Sequence, residues 1–367
     1  MKRFSDGITV AAFFLILVMF AVSVLFFQDR SSFKQIVKDE PDIRSAVTHH
    51  VERSFPLNNN WHSMHTDLMV FTGRRLFGDI YLTDDRLVKV DNAVSEDMMI
   101  RNIAYVNELA ANTDSPIYMM LAPTAAGVYG DEIPDALMGK SQRELINDAY
   151  MQLDRRIASI DAFYPLYSAK DEYVYYRTED LWTSFGAYFV YSESVRTLGF
   201  SPKTLDNYDQ EYAMSAFYGR MYNRAMVSGI VPDRINLFRS RTRSPVKKVV
   251  LTKGDDVREE ESVYFRSALK TSTKTDIFLM GDRYTKTDVY TEINDAPSLL
   301  IIKGSFANTI VPYYAAHYSK ITMVDPERLK DEGKDLSEVV DPDDYDQILV
   351  LYDIDSFSAT NSLTVLK

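Results

Sequence analysis

Ser305 follows Lys303-Gly304 at the end of an apolar run, Leu299-Leu300-Ile301-Ile302, and precedes a segment with helical spacing. The run is short, partly β-branched and bounded by Pro297 and Gly304, which suits a buried parallel strand better than a helix. A serine at the carboxyl end of such a strand, on a tight turn into a helix, faces the edge where open α/β sheets bind ligands. From there it could attack an ester or acyl carbon. The same Gly-Ser pair is also an ordinary turn plus helix N-cap, with Ser305 accepting a hydrogen bond from the amide of Ala307 or Asn308.

A second chemistry-bearing stretch is Arg177-Thr178-Glu179-Asp180-Leu181-Trp182. The face of Trp182 could stack on a sugar ring, although a tryptophan opening a helix also serves as a core anchor. Arg177 and Arg220 could hold carboxylate or phosphate groups through paired hydrogen bonds, or form ordinary intradomain ion pairs. Asn308 completes the set of ligand-binding candidates. Adjacent His49 and His50 point in different directions on a helix. His62 and His65 have a permitted ligand spacing but no third ligand nearby, so no metal site is expected. No organic cofactor has a recognisable motif.

The elements that must position these residues follow from periodicity. Ile117–Leu121, stopped by Pro123, reads as a buried strand whose end loop, 122–130, faces the same edge as Ser305 if the strands are parallel. Strand-like runs recur at Val246–Leu251, Asp276–Met280, Leu299–Ile302, Ile321–Val324 and Ile348–Tyr352, separated by helical or polar segments. This pattern predicts a mainly parallel sheet with helices on both faces. Ser95 caps a helix with Met99, Ile103, Val106 and Ala110 on one face, and Ser141-Gln-Arg-Glu144 is a capping box opening a helix expected to run through Ile160. Leu76–Val90 reads as a small β element, Asp171–Tyr176 as a short Tyr-rich strand, and Phe185–Leu198 as a helix. Thr204–Arg243 lacks strong periodicity and reads as a long loop, functional or partly structured.

The 367 residues, 46% hydrophobic and 26% charged, can bury a substantial core. Ile8–Phe27 is twenty consecutive uncharged residues, enough at 1.5 Å per residue to cover a hydrocarbon core of roughly 30 Å. It predicts one transmembrane helix. Bulky Val24–Phe27 favours an uncleaved anchor, while Ala21-Val22-Ser23 leaves cleavage open. Lys2 and Arg3 favour a cytoplasmic N-terminus against a weak opposing bias from Asp6, Arg30, Lys34 and Lys38. The expected organisation is a cytoplasmic tail (1–7), the membrane span (8–27), a helical stalk (28–75) broken at Pro41, and one α/β domain (76–367). Cysteine is absent, which excludes disulfides, thiolate metal sites and a cysteine nucleophile. A net charge of −12 without a basic tract argues against nucleic acid and suits neutral glycans or cationic partners.

Three local sequences then fall together: Asp171–Tyr191 (DEYVYYRTEDLWTSFGAYFVY), Phe217–Ala225 (FYGRMYNRA) and Ser298–Tyr318. They resemble the DHHW family of bacterial envelope proteins, itself similar to the permuted SGNH-hydrolase domains of alginate-type O-acetyltransferases. The resemblance runs from about Glu52 to the C-terminus and implies a three-layer SGNH-hydrolase-like domain with a mainly parallel sheet. In such families an Asp, and a His two residues later just before the Trp, activate a serine at the end of a later strand. The imidazole takes the hydroxyl proton and the carboxylate fixes its tautomer. The resemblance places the nucleophile at Ser305, the carboxylate at Glu179 and the imidazole at Leu181, which cannot accept a proton. Gly304 stands where the family commonly has Asp, and Asp282 stands near a position that tends to be Asn.

This pattern leads to the expectation of a membrane-anchored, extracytoplasmic bacterial protein with a degenerate catalytic site. It would bind or organise an envelope polysaccharide, or the partner protein that acylates one. The alternative is an active serine O-acyltransferase or carbohydrate esterase that uses Ser305 with a non-standard base. Glu179 and Asp180, with ordinary values near 4, match a serine hydroxyl poorly. His317 is roughly 18 Å away along a continuous helix, and His62 or His65 could serve only by folding over the site. A third reading is an envelope scaffold with no ligand.

Overall fold

The computed structural model describes residues 13–15, 18, 58–90, 95–242 and 244–367. Contacts divide the chain into two units, residues 1–74 with 226–228, and residues 75–225 with 229–367. In the first unit a helix spans Asn58–Phe71. Asp67 accepts a hydrogen bond from the Ser228 amide at 3.0 Å, and the Ser63 and Ser228 hydroxyls meet at 2.9 Å. The expected membrane span lies almost wholly outside the described residues, as does most of the expected stalk. Among the described residues no helix is long and apolar enough to cross a membrane.

The second unit opens with a small antiparallel sheet of β1 (Leu76–Phe77), β2 (Ile80–Leu82) and β3 (Leu87–Lys89), the β element read from Leu76–Val90. Its main sheet uses β4 (Ile117–Ala122), β5 (Ile157–Asp161) and six later strands. Between them β6 (Tyr208–Phe217) and β7 (Asp233–Ser240) form a separate antiparallel pair. The later strands are β8 (Val246–Lys253), β9 (Asp256–Glu260), β10 (Lys286–Thr291), β11 (Ser298–Lys303), β12 (Lys320–Val324) and β13 (Gln347–Asp353). The order is β5-β4-β13-β11-β12-β10-β8-β9. The first five are mutually parallel, and the last three join antiparallel.

β11 shows why the apolar run became a central strand. Leu299, Leu300, Ile301 and Ile302 are all fully buried, alternately on two faces. Leu299 and Ile301 pack with Val190 and Tyr191 of the Ser184–Thr197 helix and with Ile310 of the Ala307–Tyr314 helix. Leu300 and Ile302 pack with Met99 and Ile103 of the Glu96–Ala111 helix and Leu145 of the Gln142–Met151 helix. Each such side chain contributes about 1.5–3 kcal/mol on burial. The product is a sheet covered on both faces, with the strand ends Ala122, Lys303, Val324 and Asp353 along one edge.

Four local expectations are corrected. The Ser141 helix stops at Met151, and Ile157–Asp161 is β5. Ser141 makes no side-chain cap bond, while Asp154 accepts the Arg156 amide at 3.0 Å, a local turn that redirects the chain into the strand. Asp171–Tyr176 is not a strand but one side of a turn closed by a single bridge between Tyr175 and Trp182. Asp276–Met280 is not a strand either: a 3₁₀ turn, Lys274–Ile277, runs into Leu279 (φ 52°), Met280 (φ 61°) and Gly281 (φ 64°). Its apolar residues signalled burial rather than extension. The stretch read as a loop, 204–243, holds β6, β7 and a helix at Arg220–Ala225.

Candidate active site

Ser305 lies just past the carboxyl end of β11, within the parallel part of the sheet. The preceding Gly304 donates its amide to the Leu351 carbonyl at 2.7 Å, and a Cβ at Gly304 would come within 2.9 Å of the Tyr352 ring. Only a glycine lets the chain pass this close to β13 without displacing the ring. Ser305 is not a helix cap. The Ala307 and Asn308 amides reach the Gly304 and Ser305 carbonyls instead, and the Ser305 hydroxyl donates to Asp282 Oδ2 at 2.5 Å.

Asp282 therefore occupies the position at which a catalytic serine needs its base. Its other oxygen accepts from Lys303 Nζ at 2.5 Å and Asn308 Nδ2 at 2.9 Å. Asn308 also donates to the Ser305 carbonyl at 3.0 Å, while its own Oδ1 has no hydrogen-bond partner among the described residues. Asp282 is delivered by the three consecutive left-handed residues 279–281. Two of these are not glycine, a conformation costing on the order of 1–3 kcal/mol per residue that concentrates at functional sites. Lys303 is 3% exposed and lies 3.4 Å from a second carboxylate, Asp325.

The charges settle asymmetrically. Burial alone would raise Asp282, but the Lys303 ammonium and the hydrogen bonds from Lys303, Ser305 and Asn308 outweigh it and hold Asp282 well below the usual carboxylate range. Burial alone would lower Lys303, but Asp282 and Asp325 keep it charged and raise its pKa. Burial raises Asp325, and the Asp282 charge adds to that against a partial offset from Lys303. A carboxylate so stabilised is a weak base toward a hydroxyl.

The Glu179 turn is built separately. Asp233, fully buried, accepts from Tyr173 Oη at 2.5 Å, the Arg177 amide at 2.7 Å and the Thr178 amide at 2.8 Å, and from the Thr178 hydroxyl. Thr178 Oγ1 in turn accepts the Gly219 amide at 2.8 Å. Glu179, 3% exposed, accepts from Arg220 Nε at 2.7 Å and from the amides of Arg220 and Asp180, each at 3.1 Å. Its hydrogen bonds thus go to Arg220 and to its own turn, not to Ser305. Burial lowers the Arg220 pKa, but Glu179 and, to a smaller extent, Asp180 and Asp282 together outweigh it and raise it, which ties this turn to the serine cluster.

Leu181 is half-buried against the two apolar clusters flanking the turn, and its carbonyl accepts the Tyr176 amide at 3.2 Å. The expected ligand role of Trp182 is corrected. The ring is fully buried, edge-on to Phe306 at 4.8 Å, and Nε1 donates to the Phe306 carbonyl at 3.0 Å. Trp182 fixes the residue after the serine rather than offering a sugar a face. Arg177 lies 3.5 Å from Asp85 and 4.9 Å over the Tyr173 ring, an intradomain arrangement. The unit holding Ser305 contains one histidine, His317. It bonds Tyr191 Oη at 2.7 Å, packs on Phe200, and is lowered to about 4 by burial and then by Lys203.

Residues that the sequence reading missed line the same sheet edge. Lys303 ends β11, Asp325 follows β12, Asp353 ends β13 and Asp355 lies two residues beyond. Asp180 is pushed up to about 6 by burial and then by Asp353. Asp355, which accepts from Gln142 Nε2 at 3.0 Å and Thr124 Oγ1 at 3.2 Å, is pushed up to about 7 by burial and then by Asp353 and Asp180. The signal that could have found three of them is position: Lys303, Asp325 and Asp353 stand at or just past the carboxyl end of a parallel strand, where sites gather.

Fold and site together define an α/β protein with a doubly covered, mainly parallel sheet and a serine–carboxylate–lysine cluster at its carboxyl edge. Residues 60–324 match the family model described as DHHW protein, and the chain belongs to the DHHW family. It is similar in structure to a DHHW family protein from Eubacterium siraeum DSM 15702, with TM-score 0.61 and 19% identity over 78% of this chain and 93% of that one. It is also similar to Bacillus cereus PatB1 in a structure with a sulfonyl adduct, with TM-score 0.66 and 14% identity over 78% and 98% of the two chains. At these identities the likeness shows the fold alone. No curated protein sequence matches the chain.

Proposed function

We propose that this chain is an SGNH-like protein whose serine site no longer catalyses, and that it binds or organises a cell-envelope polysaccharide or the partner protein that acylates one. It would be held by a membrane anchor at residues 8–27, with the α/β unit outside the cytoplasmic membrane. The observation that carries this reading is the Ser305 hydroxyl bonded at 2.5 Å to Asp282, itself neutralised by Lys303. The proton acceptor nearest the hydroxyl is a carboxylate held well below its usual range, and Leu181 supplies none. Without an imidazole the serine loses most of a triad's rate enhancement; roughly 10³–10⁴ over water can survive on binding and oxyanion stabilisation.

The test is acetyl-ester hydrolysis by the purified chain beside Ser305→Ala and Leu181→His, with intact mass after a sulfonyl fluoride as second readout. The expected result is no serine-dependent turnover and no adduct in the parent. Activity gained by Leu181→His would fit a site lacking only its base. Parent turnover abolished by Ser305→Ala would overturn the reading in favour of a working esterase or O-acyltransferase.

A further inference from the structure

We infer that the groove beside the β2–β3 turn, away from Ser305, is a binding site for a neutral polyhydroxylated ligand, a few residues of uncharged oligosaccharide. Naming that class rests on the polysaccharide reading above; the site itself rests on the groove. It is a cavity of about 570 Å³ lined mostly by polar groups, among them Arg75, Asp85, Arg86, Tyr129, Lys170 and Asp171. Such a volume falls within the roughly 300–1,000 Å³ of ligand pockets.

Two features select the ligand. The first is charge matching. Arg75 pairs with Asp84 at 3.7 Å, Arg86 with Asp85 at 2.8 Å, and Lys170 with Asp131 at 3.2 Å. An anionic ligand would have to displace a matched partner and meet Glu132 and Asp171 as well, whereas a hydroxyl both donates and accepts and can join a guanidinium and a carboxylate without breaking the pair. The second is Arg86. Its guanidinium lies 3.7 Å over the Tyr129 ring, its Nε and Nη2 clamp Asp85 at 2.8 and 3.1 Å, and the residue is 8% exposed. Among the described residues its Nη1 has no hydrogen-bond partner. A buried donor left unmade is rare in a finished core and is what a ligand oxygen would satisfy after a small shift. Asp85 is shared with Arg177, whose own amide is held by Asp233, so the groove is tied to the turn that carries Glu179.

The experiment is calorimetric titration of the full chain with neutral hexasaccharides of glucose, mannose, galactose and N-acetylglucosamine, and with anionic hexagalacturonate. Binding is expected for at least one neutral sugar, with an affinity nearly independent of salt. Arg75→Ala and Asp171→Ala, both at exposed positions and checked for unchanged melting, should each weaken it about tenfold. Absence of binding by every neutral sugar, or binding confined to hexagalacturonate with steep salt dependence, overturns the inference. So does affinity lost in Ser305→Ala but kept in Arg75→Ala, which would put the sugar at the serine. Ester turnover by the parent would refute the non-catalytic reading without touching the groove, so the two can fail independently.

Discussion

The two halves of the sheet's carboxyl edge differ in one carboxylate: Asp282 is held down, while Asp325 beside it and the acids of the other half are raised. At the ends of β11 and β12, one buried lysine stands between two carboxylates, and Asp282 is held well below its ordinary range. At the ends of β4 and β13, Asp180, Asp353 and Asp355 crowd together, with Lys89 a weaker offset, and are pushed upward, Asp355 to about 7. Burial acts the same way on both sides. What differs is the nearness of a cation: an ammonium at 2.5 Å outweighs desolvation, and one farther off does not. The serine thus faces a carboxylate that is a poor base, while Asp180 and Asp355, pushed up to about 6 and 7, lie in the other half.

The sharpest way to break this contrast is to remove the cation. Lys303→Met leaves half-buried Asp282 and buried Asp325 without the cation they share and should cost about 3 kcal/mol, the low end of the penalty for deleting one partner of a buried pair. Urea denaturation at pH 7 checks it. Both carboxylates should then rise, making the β11–β12 half resemble the β4–β13 half, so the loss should shrink on acidification to pH 5. A loss below 1 kcal/mol at both pH values would mean that Lys303 does not set the charge state of the cluster.

The next test acts on the crowded half. Asp180 and Asp355 have folded values above the roughly 3.9 of an unfolded aspartate. Their contribution to stability is therefore fully present below about pH 4 and is lost as pH rises through 6 and 7. Asp282 works in reverse: its contribution is present above about pH 4 and is lost as pH falls toward its depressed folded value. Asp355→Asn, which mimics the protonated acid, should stabilise the chain at pH 8 by on the order of 1–3 kcal/mol and by clearly less at pH 5. An equal effect at both pH values would show that Asp355 is not the group being titrated.

The same contrast explains what the sequence could show. β11 was legible because a parallel strand buried on both faces reads as an unbroken apolar run. β10 was not, because Thr287 and Asp288 are buried polar residues that mask its pattern, Asp288 being satisfied by the Thr322 hydroxyl at 2.6 Å. At the site, Ser305 and the Glu179–Arg220 neighbourhood were legible from local strings. The meeting of Ser305 with Asp282 was not, because it depends on three left-handed residues that turn an apolar stretch away from the sheet and aim the next side chain back at the serine. Trp182 drew attention through its string, but only its bond to the Phe306 carbonyl shows that it braces the serine turn.

The smallest expected effect bears most directly on function. Ser305→Ala removes a 2.5 Å hydrogen bond to a charged acceptor. If the hydroxyl has become part of the Asp282 anchor, its loss should destabilise the chain by about 1.5 kcal/mol in urea at pH 7, the low end of the range for a hydrogen bond to a charged group. A serine retained as a nucleophile behaves differently, because active-site residues are commonly kept at a cost to stability and their removal is neutral or stabilising. The sign of this one difference therefore separates a structural serine from a catalytic one without any substrate. Stabilisation by Ser305→Ala would count against the binding reading even if no ester were found that the chain could hydrolyse.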